Sequence, residues 1–135
     1  MNAVGMRVTV PQDLDTVLER LRGALADEGF GVLTEIDVQA TLRTKIGAEV
    51  EPYRILGVCN PRLAHQALEI DRSVGLLLPC TVVLREGDAG STVLEVQDPA
   101  VMVSVTGEPR LRVIADEAAR RLSAAVRRLV VADAA

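Results

Sequence analysis

Residues 53–61, YRILGVCNP, decide how this chain folds. The seven residues 53–59 are largely apolar, which predicts a strand inside a sheet. Asn60 and Pro61 follow directly and read as the first two positions of a helix. An asparagine side chain accepts the unpaired amides of a helix start, and proline has no amide to leave unpaired. The stretch therefore predicts a strand that passes straight into a helix ending near residue 71.

The segments on either side complete a strand-helix pattern. Residues 4–10 alternate apolar and polar, which indicates a half-buried strand, and the segment after Pro11 has its leucines at helical spacing. Residues 87–90, GDAG, read as a hairpin turn between two strands. The predicted strands are 4–10, 30–36, 53–59, 77–86 and 91–97, and the predicted helices are 14–28, 38–46, 61–71, a single turn at 99–103, and 111–129. We expect an α+β fold, with one mainly antiparallel sheet and helices packed on one face.

Composition bounds the class of protein. The 135 residues are 49% hydrophobic, which excludes a disordered chain and predicts a single domain over residues 1–135, with its core at about 4–131. The net charge of −4 argues against a dedicated nucleic-acid binder. Phe30 and Tyr53 are the only aromatic residues, so base-stacking surfaces are nearly excluded as well.

The termini and the cysteines indicate a compartment. Residues 1–7 do not resemble a signal peptide, and the longest uncharged run, 73–84, is too short to cross a membrane. Two cysteines do not make a disulfide framework in a chain of this length. We expect a cytoplasmic protein with reduced thiols and no membrane contact. Lys45 is the only lysine among 15 basic residues, which hints at a bacterial genome rich in G and C.

Three segments, taken in their order along the chain, resemble the domain of unknown function 302 family: GFGVL at 29–33, PYRILGVCNP at 52–61 and GLLLPC at 75–80. The resemblance extends over roughly residues 4–129. It implies a small α+β fold of TBP-like type that assembles as a homodimer. It carries no established activity, and the TBP-like label brings no DNA function with it. Members vary at the cysteine positions, and this sequence resembles the group that has both.

Cys59 and Cys80 are the first candidates for chemistry. Cys59 lies just outside the predicted helix start, where free amides and the helix dipole favour a thiolate and lower the thiol pKa. If a strand-helix-strand path brings the two sulfurs together, they form a reversible disulfide, a soft-metal pair or a reactive thiol. The alternative is that both are small buried hydrophobic residues. Sequence spacing leaves the choice open, and two sulfurs alone do not fill a zinc site.

The predicted helix start at Asn60 offers two further functions. Its amides can bind a phosphate or carboxylate with help from Arg54 or Arg62, although plain capping explains the same residues. His65, the only histidine, falls on the polar face of this helix. It is either a general base or ligand near the cap, or a solvated surface residue.

The last predicted helix offers a surface for a partner. The arginines of this helix are explained as residues on a solvated face. Glu49 and Glu51, which precede the predicted strand 53–59, are explained as loop charges. The apolar edge of the helix, with Val126, Leu129, Val130 and Val131, packs either on a second subunit or on its own sheet.

Two functions remain in competition. The first is a homodimeric binding or interaction module for a small anionic or thiol-reactive ligand. The second is a thiol-dependent redox or transferase enzyme, with Cys59 as the reactive thiol and Cys80 as the resolving one. No metal site and no identifiable cofactor are predicted. The candidate site residues are Cys59, Asn60, Pro61, His65, Pro79 and Cys80.

Overall fold

The computed structural model describes the backbone of residues 5–134 and the side chains of residues 5–130. Val4 and the side chain of Val131, both included in the predictions above, lie outside the described residues. The strands are β1 Gly5–Val10, β2 Gly31–Asp37, β3 Tyr53–Cys59, β4 Cys80–Glu86 and β5 Thr92–Gln97. The helices are α1 Leu14–Asp27, α2 Val38–Ile46, α3 Pro61–Ile70, α4 Val101–Thr106 and α5 Arg112–Ala134. Short 3₁₀ turns occupy Arg72–Leu77, Asp88–Gly90 and Pro109–Leu111.

The five strands form one antiparallel sheet in the order β1-β5-β4-β3-β2. The predicted α+β class and antiparallel sheet are confirmed. β3 lies between β4 and β2, which agrees with its apolar sequence. Its register with β4 places Val58 directly opposite Cys80.

Two hydrophobic clusters build the interior. The larger lies between one face of the sheet and the helices α1 and α5, and it includes Leu21, Leu84 and Leu122. The smaller joins α3, α4 and the start of α5 around Met102 and Ile114. Both clusters are built from alternate strand residues and helical stripes, as the sequence periodicity predicts.

The helix ends follow the sequence signals. The carboxylate of Asp13 accepts the amide of Thr16 at 3.2 Å, and that of Asp37 accepts the amide of Ala40 at 3.0 Å. Gly29 follows Glu28, the C-cap residue of α1, and has a φ of +83°, a conformation that favours glycine. These local signals predicted α1 and α2 correctly.

The predicted start of β4 at residue 77 is wrong, because the strand begins at Cys80. Residues Arg72–Leu77 form a 3₁₀ turn instead, which begins where the carboxylate of Asp71 accepts the amide of Ser73 at 2.9 Å. Pro79 has no amide hydrogen to contribute to a strand ladder, so pairing starts after it. The Leu78–Pro79 peptide bond is cis.

Two residues of the apolar edge of α5, Val126 and Leu129, do not form a free surface. Val126 and Leu129 are only 2% and 1% exposed, because they pack in the core of their own chain. The suggestion that they pack on a second subunit is therefore wrong, while Val130 is exposed. Within residues 5–134, no helix is long and apolar enough to cross a membrane.

Candidate functional site

Cys59 and Cys80 line the same small cavity. Cys59 is the last residue of β3 and Cys80 is the first residue of β4. Cys80 lies directly opposite Val58, the residue before Cys59. The cavity is about 30 Å³ in volume, and its walls include Phe30, Met102 and Ile114. Sequence spacing alone left the distance between the cysteines open. The register of β3 and β4 places them on neighbouring strands, but it pairs Cys80 with Val58, so the side chain of Cys59 points to the opposite face of the sheet.

Burial makes both thiols weaker acids. It raises the pKa of the partly buried Cys59 above the ordinary value for a thiol. It raises the pKa of Cys80 to about 11, and the negative charge of an ionised Cys59 adds to that effect. The expected lowering of the Cys59 pKa is therefore wrong. The loss of solvent outweighs the nearby helix dipole, so both thiols are protonated at neutral pH.

Asn60 ties the start of α3 to the end of α1. Its Oδ1 accepts the amide of Leu63 at 3.2 Å, which confirms the predicted cap. Its Nδ2 donates to the carbonyl of Glu28 at 3.4 Å. A Cβ on Gly29 would lie 3.0 Å from that Nδ2, so the glycine also leaves room for the asparagine side chain.

A larger cleft opens beside this junction, between α3 and α5. We call it the α3–α5 cleft. Its volume is about 650 Å³, within the range of small-molecule sites. The residues that line it are Gly29, Asn60, Pro61, Arg62, Leu63, Gln66, Val113, Ile114, Glu117 and Arg121. It therefore combines apolar walls with a few polar and charged groups.

The charges in the α3–α5 cleft favour an anion. Arg62 has no ion-pair or hydrogen-bond partner among the described residues. Arg121 lies 3.4 Å from the carboxylate of Glu117 and donates to the carbonyl of Glu28 at 3.3 Å. The lining of the cleft thus includes two guanidinium groups and one carboxylate, beside the N-terminal end of α3, where the helix dipole is positive.

The remaining sequence candidates lie elsewhere. The ring of Pro79 packs against Gly57, where a Cβ would lie 2.6 Å from Pro79 Cγ. His65 is exposed, with Nε2 3.4 Å from Glu69 Oε1 on the next turn of α3. Neither Pro79 nor His65 lines the small cavity or the α3–α5 cleft.

Of the two arginines proposed to help at the cap, the structure brings only one to the cleft. Arg54 is held on β3 by Glu35 and Asp37, whereas Arg62 lines the cleft. The basic residues near the end of α5 include Arg128, which pairs with Asp27 on α1.

Sequence reasoning missed the half of the cleft that comes from α5. Arg121 belongs to a basic stretch that a solvated face explains, and Glu117 lies one turn before it on the same helix. Val113 and Gln66 carry no local signal at all. Their contribution depends on α5 packing beside α3, which single-sequence patterns do not specify.

Comparison with known proteins agrees with the fold. A family described as "Domain of unknown function DUF302" matches residues 6–129. The crystal structure of an uncharacterized conserved protein DUF302 from Bacillus stearothermophilus is 33% identical to this chain. It covers 95% of this chain and 99% of its own, with a TM-score of 0.87. No curated protein matches the chain.

Proposed function

The chain belongs to the DUF302 family, and we propose that it is a binding module that holds a small organic anion in the α3–α5 cleft. The observation that carries the proposal is the exposed guanidinium of Arg62, which has no partner among the described residues and lines a cleft of about 650 Å³. A charged side chain that no described residue pairs, at a positive helix end, favours a phosphate or carboxylate.

The other walls of the cleft suggest the rest of the ligand. Val113 is exposed and Ile114 lies beside it, so an apolar group bound there would be removed from water. Gln66 offers an amide that can donate or accept. We therefore expect a ligand with one anionic end and one apolar end. Phenyl phosphate is a simple probe of that description.

The test is a titration of the protein with phenyl phosphate by isothermal calorimetry. Losing a charge-assisted hydrogen bond costs about 1.5–3 kcal/mol, so Arg62→Gln weakens binding by about 10-fold or more. Arg127→Gln is the matched control, because Arg127 is exposed on α5 and does not line the cleft. Equal losses in the two variants, or no binding by the unaltered protein, would refute the proposal.

The thiol-dependent enzyme is the less favoured function. A reactive cysteine acts as the thiolate, and burial raises the pKa of both Cys59 and Cys80. We therefore keep the binding module as the proposal. A cytoplasmic location stays a prediction.

We also propose that the chain forms a homodimer through β2. This strand is at the edge of the sheet, and its side chains Leu33 and Ile36 are exposed. Edge strands have unpaired backbone groups that readily pair with another chain. Two copies of β2 related by a two-fold axis would join the sheets into one.

Light scattering on a sizing column tests the dimer. We expect a dimer for the unaltered chain and a monomer for Ile36→Asp, which places a charge on the edge strand. Val105→Asp is the control, because Val105 is equally apolar and exposed but lies on α4. A monomeric unaltered protein, or a dimer that survives Ile36→Asp, would contradict this arrangement.

A further inference from the structure

Three residues of α5 that line the α3–α5 cleft follow one another at intervals of four along the helix. Val113, Glu117 and Arg121 therefore share one face of α5, and successive residues lie about 6 Å apart along its axis. The wall that α5 gives to the cleft thus changes from apolar to negative to positive. A ligand that fits this wall has three different chemical groups in a fixed order.

The positive end of this wall lies beside the start of α3. Arg121 and Asn60 both donate to the carbonyl of Glu28, at 3.3 Å and 3.4 Å, so these two side chains are neighbours. Asn60 is the N-cap of α3, and Arg62 two residues further on adds a second guanidinium to the lining of the cleft. The two cations of the cleft therefore belong to the same end of it.

The first turn of α3 also leaves one backbone amide for an anion. Pro61 has no amide hydrogen. The amide of Leu63 donates to Asn60 Oδ1 at 3.2 Å, and that of Ala64 donates to the carbonyl of Asn60 at 2.9 Å. The amide of Arg62 has no partner among the described residues. Arg62 therefore offers a carboxylate donors from both its backbone and its side chain.

Glu117 contributes the negative charge in the middle of the wall. Arg120 and Arg121 both approach the same oxygen of its carboxylate, Oε2. No donor in the part of the chain that the structure describes forms a hydrogen bond with Oε1. The side chain is 30% exposed and lines the cleft. An ionised carboxylate accepts through both oxygens, so Oε1 is available to a cationic donor in the cleft.

Resting on the anion site proposed above, we propose that the ligand of the α3–α5 cleft is an α-amino acid with an apolar side chain. Its carboxylate binds Arg62, and its ammonium group donates to Glu117 Oε1. Its side chain lies against Val113 and Ile114 at the apolar end. A simple anion leaves Glu117 facing a like charge, whereas the ammonium group of an amino acid pairs with that carboxylate.

Three probes separate the contributions of the two charges. L-Phenylalanine has both charges, 3-phenylpropanoate has the same skeleton without the ammonium group, and 2-phenylethylamine lacks the carboxylate. We titrate each by isothermal calorimetry. For the unaltered protein we expect phenylalanine to bind about 10-fold more tightly than either of the other two, the ratio that one charge-assisted hydrogen bond supports.

Two variants assign the preference for phenylalanine over 3-phenylpropanoate to one carboxylate. Glu117→Gln should abolish the preference, and its affinity for 3-phenylpropanoate should stay the same or rise, because a like charge has been removed. Asp116→Asn is the matched control. Asp116 precedes Glu117 on α5, has the same charge, is exposed and does not line the cleft, so this variant should keep the full preference.

The outcomes separate this assignment from the anion site on which it rests. Equal affinity of the unaltered protein for phenylalanine and 3-phenylpropanoate would overturn the amino-acid ligand and leave the anion site standing. A preference that survives Glu117→Gln, or that Asp116→Asn also abolishes, would overturn it too, once circular dichroism confirms that the variants are folded. If none of these probes binds, and phenyl phosphate does not bind either, the proposed function itself is refuted together with this inference.

Discussion

Replacing Asn60 with alanine tests the junction on which the α3–α5 cleft is built. The substitution removes the acceptor for the amide of Leu63, and loss of a helix cap costs about 1 kcal/mol. It also removes the 3.4 Å bond to the carbonyl of Glu28, worth about 0.5 kcal/mol at that length. That carbonyl still accepts from Arg121, so it is not left unpaired.

The expected total is a loss of about 1.5 kcal/mol in the free energy of unfolding. For 135 residues this lowers the melting temperature by about 5 °C. Urea denaturation and calorimetry measure the two quantities.

Asn60→Asp is the matched control. Aspartate keeps the acceptor for Leu63 and suits the helix dipole, and it loses only the donor to Glu28. We expect it to lose about 0.5 kcal/mol at most. Equal losses for the alanine and aspartate variants would refute the assignment of most of the energy to the cap.

Two further predictions concern the thiols and the packing around Pro79. Because burial raises the pKa of Cys59 and of Cys80, the latter to about 11, the thiolate fraction is small at neutral pH and grows as pH rises. Iodoacetamide should therefore label both slowly at neutral pH, faster in alkali and Cys80 last, as followed by mass spectrometry. Labelling of either folded-state thiol at the rate of a free cysteine would contradict this. Gly57→Ala should lose about 1–3 kcal/mol in urea denaturation, since the new Cβ would meet Thr34 Oγ1 at 2.5 Å and Pro79 Cγ at 2.6 Å. Gly31→Ala, which meets nothing within 4 Å, is the control, and similar losses in both would disprove the clash.

Much of the fold could be predicted because its signals are local. Asn60 and Pro61 mark the start of α3 within two residues, and residues 87–90 mark the hairpin between β4 and β5. The prediction of where β4 starts was wrong because an apolar run such as Leu76–Leu78 does not by itself distinguish a strand from a turn. Pro79 indicates the later start, since proline has no amide hydrogen to donate to the strand ladder.

The site was harder to predict because it depends on contacts between distant segments. The sequence identified Asn60 and Arg62, which share one helix start, but the opposite wall of the cleft lies some fifty residues downstream at Val113 and Arg121. The prediction of a lowered pKa for the Cys59 thiol was wrong for a related reason. A helix dipole can be inferred from the neighbouring residues, whereas burial of Cys59 depends on the whole packed interior.

The most direct test of the α3–α5 cleft as a binding site is a map of backbone amide shifts in a nuclear magnetic resonance titration with phenyl phosphate. The largest shifts should cluster at Arg62, Gln66, Val113 and Arg121, which come from the two sides of the cleft. Shifts spread over the basic end of α5 around Arg127, or confined to the sheet, would contradict the account.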